Sequence, residues 1–183
     1  MILSLNLKMK KQDFLKLFWI LFVTIIPYLS NAQGNVETMR KMIFEKTNEL
    51  RVLAGYSVLK PLDSLMELAQ YHSVNMVEKH FYSHIDHEGL NPTERAKKKG
   101  LNPWVKKDDR YYGIAENISK TPWFENVKGC GDTQSESGLT DCMVLGWKNS
   151  QPHYKNIIGD YTYLGVGLFF DNSGVAYGTQ NFR

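Results

Sequence analysis

The chain is poor in cysteine: two in 183 residues, Cys130 and Cys142, with no Cys-x-x-Cys spacing. That excludes a cysteine-built metal clamp. Long apolar runs are also scarce, and after residue 32 no stretch has the ~20 residues needed to span a bilayer as a helix. There is no low-complexity tract, no internal repeat and no Pro/Gly-rich linker, which excludes disordered and solenoid architectures. Charge of one sign is missing too. Lys and Arg number 22 against 19 Asp and Glu, but residues 1–32 hold four of the lysines and one aspartate, leaving 18 of each sign. A formally neutral domain lacks the clustered positive charge that phosphate backbones require, so nucleic acid is not an expected partner.

What is present begins with a targeting signal. Lys8, Lys10, Lys11 and Lys16 lead into the uncharged, mostly apolar run Leu17–Leu29, and Ser30-Asn31-Ala32 offers small residues at the exit. This basic, apolar, small-residue order reads as a secretory signal peptide cleaved after Ala32. The run reaches only about 20 Å as a helix, short of the ~30 Å hydrocarbon core, which argues against a retained anchor. The expected mature chain, residues 33–183, is one domain without a membrane span, secreted or held in the periplasm or cell envelope. In such an oxidising space Cys130 and Cys142 are expected to pair. The closed loop would contribute ~3 kcal/mol by the chain-entropy estimate.

Helical signals come first. Val36, Met39, Ile43, Leu50 and Leu53 recur at helical spacing, with Gly55 as a left-handed stop. A second helix starts near Pro61-Leu62-Asp63, capped by Asp63 or Ser64, with Leu65, Met66, Ala69, His72, Ser73, Met76 and Val77 on one stripe. Asn91-Pro92-Thr93-Glu94 is a capping-box start for a short helix ending at Lys99-Gly100. Tyr111–Ile118 reads as one strand, and Met143–Ile158 as helix broken by Pro152. Tyr161–Phe170 and Val175–Phe182, joined by Asp171-Asn172-Ser173-Gly174, form a hairpin. Helices first and an antiparallel hairpin last predict an α+β fold.

Polar residues in apolar surroundings mark the candidate site. Glu116 lies within Gly113-Ile114-Ala115-Glu116-Asn117-Ile118, where a carboxylate is costly unless paired. Histidine is a fitting partner, and four of the five histidines fall between His72 and His87.

Four segments in order carry a family resemblance: Tyr82-Ser83-His84, Gly113–Ile118, Gly146-Trp147-Lys148-Asn149-Ser150-Gln151-Pro152-His153, and Leu164-Gly165-Val166-Gly167. Together they resemble the CAP superfamily of cysteine-rich secretory, antigen 5 and pathogenesis-related proteins, closest to its bacterial SCP-like branch. The resemblance covers roughly residues 42–182. It implies a three-layer α-β-α sandwich with a small antiparallel sheet. It also implies a cleft holding two histidines and two glutamates, which binds a divalent metal in some members. Here the first histidine maps to His84, the first glutamate to Glu116 and the second histidine to His153. The second glutamate position is Ser150, so one carboxylate is missing, and the Pro-Gly-His of the bacterial branch is Gln151-Pro152-His153.

His84, Glu116 and His153 form a ligand set that Zn²⁺ accepts, with a fourth position open to water. The alternative is a metal-free His–Glu–His cluster that locks the cleft by hydrogen bonds. The expected function is a non-catalytic extracytoplasmic module binding a ligand at His84, Glu116, Ser150 and His153. The resemblance implies a lipid or sterol, a cell-wall glycan or a protein partner. The alternatives are a metal- or Glu/His-dependent hydrolase and a structural envelope protein. Glycoside chemistry uses two carboxylates, and Ser150 removes one. Ser150 and His153 lack an activating Asp and an oxyanion motif. His72 reads as a satisfied core or rim residue. His80 would share a helical face with His84 on a continuous helix, and Asp86 and His87 would either support the site from behind or form a surface metal trap. Lys97-Lys98-Lys99 reads as a solvated helix face, Trp147 and Tyr161/Tyr163/Phe169/Phe170 as core. Gly165 and Gly167 read as a close helix approach, and the polar 129–142 segment as a tethered loop at the cleft rim.

Overall fold

A computed structural model describes residues 35–183; the expected signal peptide over residues 1–32 lies outside them. Five helices are described, α1 (Val36–Leu53), α2 (Asp63–Glu78), α3 (Pro92–Lys98), α4 (Glu136–Asn149) and α5 (Gln151–Ile157). The strands are β1 (Lys60–Pro61), β2 (Val105–Lys107), β3 (Arg110–Tyr112), β4 (Ala115–Pro122), β5 (Tyr163–Phe170) and β6 (Val175–Phe182). The main sheet runs β1-β5-β6-β4, antiparallel except for the short parallel pair β1–β5, while β2 and β3 pair separately. Among the described residues no helix is long and apolar enough to cross a membrane.

Period-2 alternation sorts the sheet into two faces. On β5, Leu164, Val166 and Leu168 join Met39, Ile43, Met143 and Trp147 in the core beneath α1 and α4. Gly165 and Gly167 face α2. A Cβ at Gly165 would stand 2.1 Å from the Leu65 backbone carbon, and one at Gly167 2.3 Å from that of Ala69. Their missing side chains let α2 lie directly on the sheet, as the sequence predicts. Along α2, Ser73 then bonds Thr179 (2.9 Å), and Met76 packs with Ile118 and Tyr177. The result is the three-layer α-β-α sandwich, α1, α4 and α5 on one face and α2 on the other.

Several local readings hold and several are corrected. Asn91 and Glu94 exchange both capping-box bonds, and Gly55 takes φ +83° after α1. Leu53 is 84% exposed rather than on the buried stripe. Arg51 is buried instead, donating to the carbonyls of Ser57, Ile157 and Gly159 and thereby fixing the end of α5. The cap of α2 is Leu62, without a side-chain bond from Asp63 or Ser64. Tyr111–Ile118 is not one strand: β3 ends at Tyr112 and β4 starts at Ala115. At the break, a Cβ on Gly113 would meet Thr93 Oγ1 at 2.2 Å, and that oxygen accepts from the Ile114 N–H at 3.0 Å. The 129–142 segment is loop only in its first half. Ser135 caps α4 by accepting from the Gly138 N–H, so Cys142 is helical when it bonds Cys130.

Candidate functional site

Glu116 stands on β4 opposite Asn181 of β6, its side chain on the α2 face and 1% exposed. The pairing that the sequence demands is supplied from several elements. Arg95 of α3, equally buried, donates through Nη2 to Glu116 Oε2. His84, in the loop after α2, places Nδ1 3.0 Å from Glu116 Oε1. His72 of α2 places Nε2 3.6 Å from the same oxygen. Asn181, with its amide turned so that the oxygen accepts from the Ala69 N–H, donates to Glu116 Oε2 at 3.1 Å.

The same side chains hold the His84 loop. Arg95 Nη1 donates to the carbonyls of His84 (2.7 Å) and Leu90 (3.0 Å). His72 Nε2 lies 3.0 Å from the Ser83 carbonyl, a contact in which the ring donates. Burial holds the His72 imidazole below its usual pKa, outweighing the upward pull of Glu116, so the ring is neutral and carries its proton on Nε2. Asp86 is turned inward, its Oδ1 accepting from the Glu88 and Leu90 N–H groups. Glu116, as a carboxylate, can only accept, so His84 donates from Nδ1 and leaves Nε2 as its free nitrogen.

His153 comes from α5 on the opposite face. A buried polar chain fixes that helix: Thr47, Gln180, Asn117 and Asn156 bond in sequence, and Asn117 Nδ2 also donates to the His153 carbonyl at 3.1 Å. The His153 ring lies 6.5 Å from that of His84, centroid to centroid, inclined at 51°. Partial burial and then the neighbouring His84 hold the His153 pKa below the usual value. His153 opens onto a groove of about 420 Å³ that Ser150, Tyr82, Lys120, Trp147, Cys130 and Cys142 also line. The disulfide therefore stands at the cleft wall.

The structure thus brings His84 and Glu116 into direct contact and sets His153 beside them, with Ser150 in the groove one turn of chain away. It does not gather three ligands: among the described residues no three His, Cys, Asp or Glu side chains are placed to hold a metal together. His80 shares no helix with His84, since α2 ends at Glu78 and His80 takes φ +55°. His87 is exposed and rests against Phe81, ring centroids 6.2 Å apart. Sequence reasoning missed Arg95, and it placed His72 in the core without connecting it to Glu116. Only the stripe that buries His72 on α2 pointed that way.

Comparison with known proteins bears on the family and the fold. The model of the cysteine-rich secretory protein family, CAP, matches residues 44–182. The Bacillus subtilis (strain 168) "uncharacterized membrane protein YlbC" is 30% identical over 146 residues, 79% of this chain; the chain spans only 34% of that protein's length. Among solved structures, an outer surface protein from Borrelia burgdorferi shares the fold at 16% identity and a TM-score of 0.62, over 81% of this chain and 93% of that one. An extracellular protein containing an SCP domain from Bacillus anthracis does so at 22% identity and a TM-score of 0.60, over 82% of this chain and 42% of that one. From the four motif segments, the sandwich and the matched residues together, the chain belongs to the cysteine-rich secretory protein (CAP) family.

Proposed function

We propose that the domain is an extracytoplasmic binding module that recognises its ligand at His84 and His153, with Glu116 as the buried group that aims His84. The observation carrying this reading is that both oxygens of Glu116 are engaged by neighbouring side chains. Arg95, His84 and Asn181 take its carboxylate, so it is neither a free general base nor a nucleophile. Ser150 occupies the position where a second carboxylate would stand, and among the described residues no acid lines the groove with His153. The arrangement lacks the two carboxylates of glycoside hydrolysis and the oriented base of a serine triad. It retains two neighbouring imidazoles, His84 and His153, of which His153 lines the groove. The extracytoplasmic location is supported by the Cys130–Cys142 disulfide, which persists in oxidising compartments, and by the expected signal peptide. Lipid, cell-wall glycan and protein remain the candidate partner classes.

A Zn²⁺ site here would rest on two of the three expected donors, one fewer than an ordinary open zinc site uses. His84 Nε2 and His153 would hold the ion, and Glu116 would stand behind His84 as the carboxylate that fixes its tautomer. Bound there, Zn²⁺ would give an oxygen-bearing ligand a coordination point. Isothermal titration of the mature protein tests this part: micromolar Zn²⁺ binding lost in His84→Ala and His153→Ala supports it, and binding unaffected by both substitutions rejects it. Incubation with peptide and cell-wall substrates, with and without chelator, tests the binding reading itself. Saturable binding without turnover is expected, whereas turnover abolished by Glu116→Gln would establish a hydrolase.

A further inference from the structure

The two imidazoles of the cleft come from opposite faces of the sheet, and two neighbouring residues of β4 hold them. Period-2 alternation sends the Glu116 side chain to the α2 face and that of Asn117 to the face covered by α1, α4 and α5. Across the ladder, Glu116 stands opposite Asn181 and Asn117 opposite Gln180. Side-chain bonds join both pairs: Asn181 donates to Glu116 Oε2 at 3.1 Å, and Asn117 Nδ2 to Gln180 Oε1 at 3.0 Å. Two consecutive polar pairs therefore cross the middle of the sheet, with all four residues buried. Apolar residues would fill these positions without the cost of desolvating polar groups. What a satisfied polar pair adds is direction, because each bond fixes the place of one particular atom. The first pair holds the His84 ring. The second stands beneath His153.

Helix α5 needs such an anchor. It has seven residues, carries Pro152 in its first turn, and its N-cap Ser150 makes no side-chain capping bond. A helix this short has little stability of its own, so its neighbours decide where it lies. Arg51 fixes the far end by donating to the carbonyls of Ile157 and Gly159. Asn117 fixes the end that carries the imidazole. Its Nδ2 donates to the His153 carbonyl at 3.1 Å, and its Oδ1 accepts from Asn156 Nδ2 at 2.9 Å. Both amide protons are committed, one to Gln180 and one to His153, and an aspartate in the same place has neither.

We propose that Asn117 is the positioning residue for His153, and that Glu116 and Asn117 together set the gap between the two imidazoles. Each grips one histidine-bearing segment, so the 6.5 Å between ring centroids follows from the fixed step between neighbours on one strand. The purpose of this gap rests on the binding reading above, but its test needs no ligand. A cleft that takes up neither Zn²⁺ nor substrate rejects that reading and leaves the role of Asn117 to be decided on its own.

The test compares three variants of the mature protein by NMR, near pH 8 and well below each thermal midpoint. Asn117→Asp is nearly isosteric, keeps the oxygen that Asn156 bonds and removes both donors. Asn156→Ala cuts the second link between α5 and Asn117 and decides the matter should Asn117→Asp fail to fold. Thr47→Val is the control: it breaks the same polar chain at its far end, where Gln180 donates to Thr47 Oγ1 at 2.7 Å. The readouts are the NOEs between His84 and His153 ring protons and the ring ¹⁵N shifts of both residues.

The wild-type protein and Thr47→Val are expected to show the ring-to-ring NOEs and the same His153 shifts. Asn117→Asp should lose those NOEs and shift the His153 ring, while His84 keeps its Nδ1–H form because Glu116 is unchanged. Asn156→Ala should weaken the NOEs in the same sense. Unchanged NOEs and His153 shifts in Asn117→Asp and Asn156→Ala, with only a lower thermal midpoint, would make Asn117 a merely structural residue and overturn the proposal. So would loss of the NOEs in Thr47→Val, or a disturbance of His84 in Asn117→Asp as large as that of His153. Absence of the NOEs in the wild-type protein overturns it as well, since the gap is then not held.

Discussion

Arg95 and Glu116, each with its side chain 1% exposed, form an ion pair that joins α3 to the central sheet and sits directly beneath His84. Both terminal nitrogens of the guanidinium are used: Nη2 donates to the carboxylate while Nη1 donates to the carbonyls of His84 and Leu90, and Nε is left without a partner among the described residues. Replacing Arg95 by leucine strands a buried carboxylate and is expected to cost about 3–5 kcal/mol in urea unfolding. Arg95→Leu with Glu116→Leu should recover much of that loss, because an apolar pair of similar volume carries no desolvation penalty. A single substitution that costs under about 1 kcal/mol would show that the pair is not desolvated.

The glycines of β5 make a second, contrasting test. Gly165→Ala or Gly167→Ala drives a methyl group into the α2 backbone at 2.1–2.3 Å, where no side chain can move aside. Each is expected to destabilise by at least about 1–3 kcal/mol, as overpacking does. Gly146, inside α4, has open space at its Cβ position. Gly146→Ala is expected to stabilise by up to about 1 kcal/mol through helix propensity. Thermal midpoints of the β5 and α4 variants should therefore move in opposite directions.

Acid sensitivity follows from His72. Its ring is fully buried, faced by Glu116 of β4, Arg95 of α3 and Asp86 of the following loop, and burial depresses its pKa. The unfolded chain, with an ordinary histidine near ~6.5, takes up the proton first as pH falls. The stability contribution is therefore complete above about pH 6.5 and is lost as pH drops toward the depressed folded value. His153 adds in the same sense. Unfolding free energy should fall as pH drops below about 6.5, with a slope of up to about 1.4 kcal/mol per pH unit for each such proton. In His72→Gln that slope should decrease; an unchanged slope would mean that His72 does not resist protonation.

What was legible in the sequence was what local chemistry decides. The Asn91–Glu94 capping box, the Asp171–Gly174 hairpin turn and the alternating glycines of β5 all carry their reason within a few residues. Glu116 stood out as a carboxylate in apolar surroundings, while the family resemblance pointed to His84 and His153; the structure sets His84 against Glu116 and His153 beside His84. Arg95 was not legible, because a charged residue on a short polar helix has no local signature of burial; only the packing of α3 against β4 covers it. The start of α4 was hidden for the opposite reason. Its first turn is polar because much of it faces solvent, so the sequence there looked like loop. The break between β3 and β4 depends on Thr93, some twenty residues away in the chain, filling the space beside Gly113.

The tautomer of His84 tests the central claim most directly. If Glu116 fixes this ring beside His153, the imidazole must donate from Nδ1 and present an unprotonated Nε2. Long-range ¹H–¹⁵N spectra of the folded domain near pH 8 should then show the Nδ1–H form of His84, reverting in Glu116→Gln. A dominant Nε2–H form in the wild-type protein would mean that the carboxylate does not orient His84, and the cleft would lose the aimed imidazole on which its binding role depends.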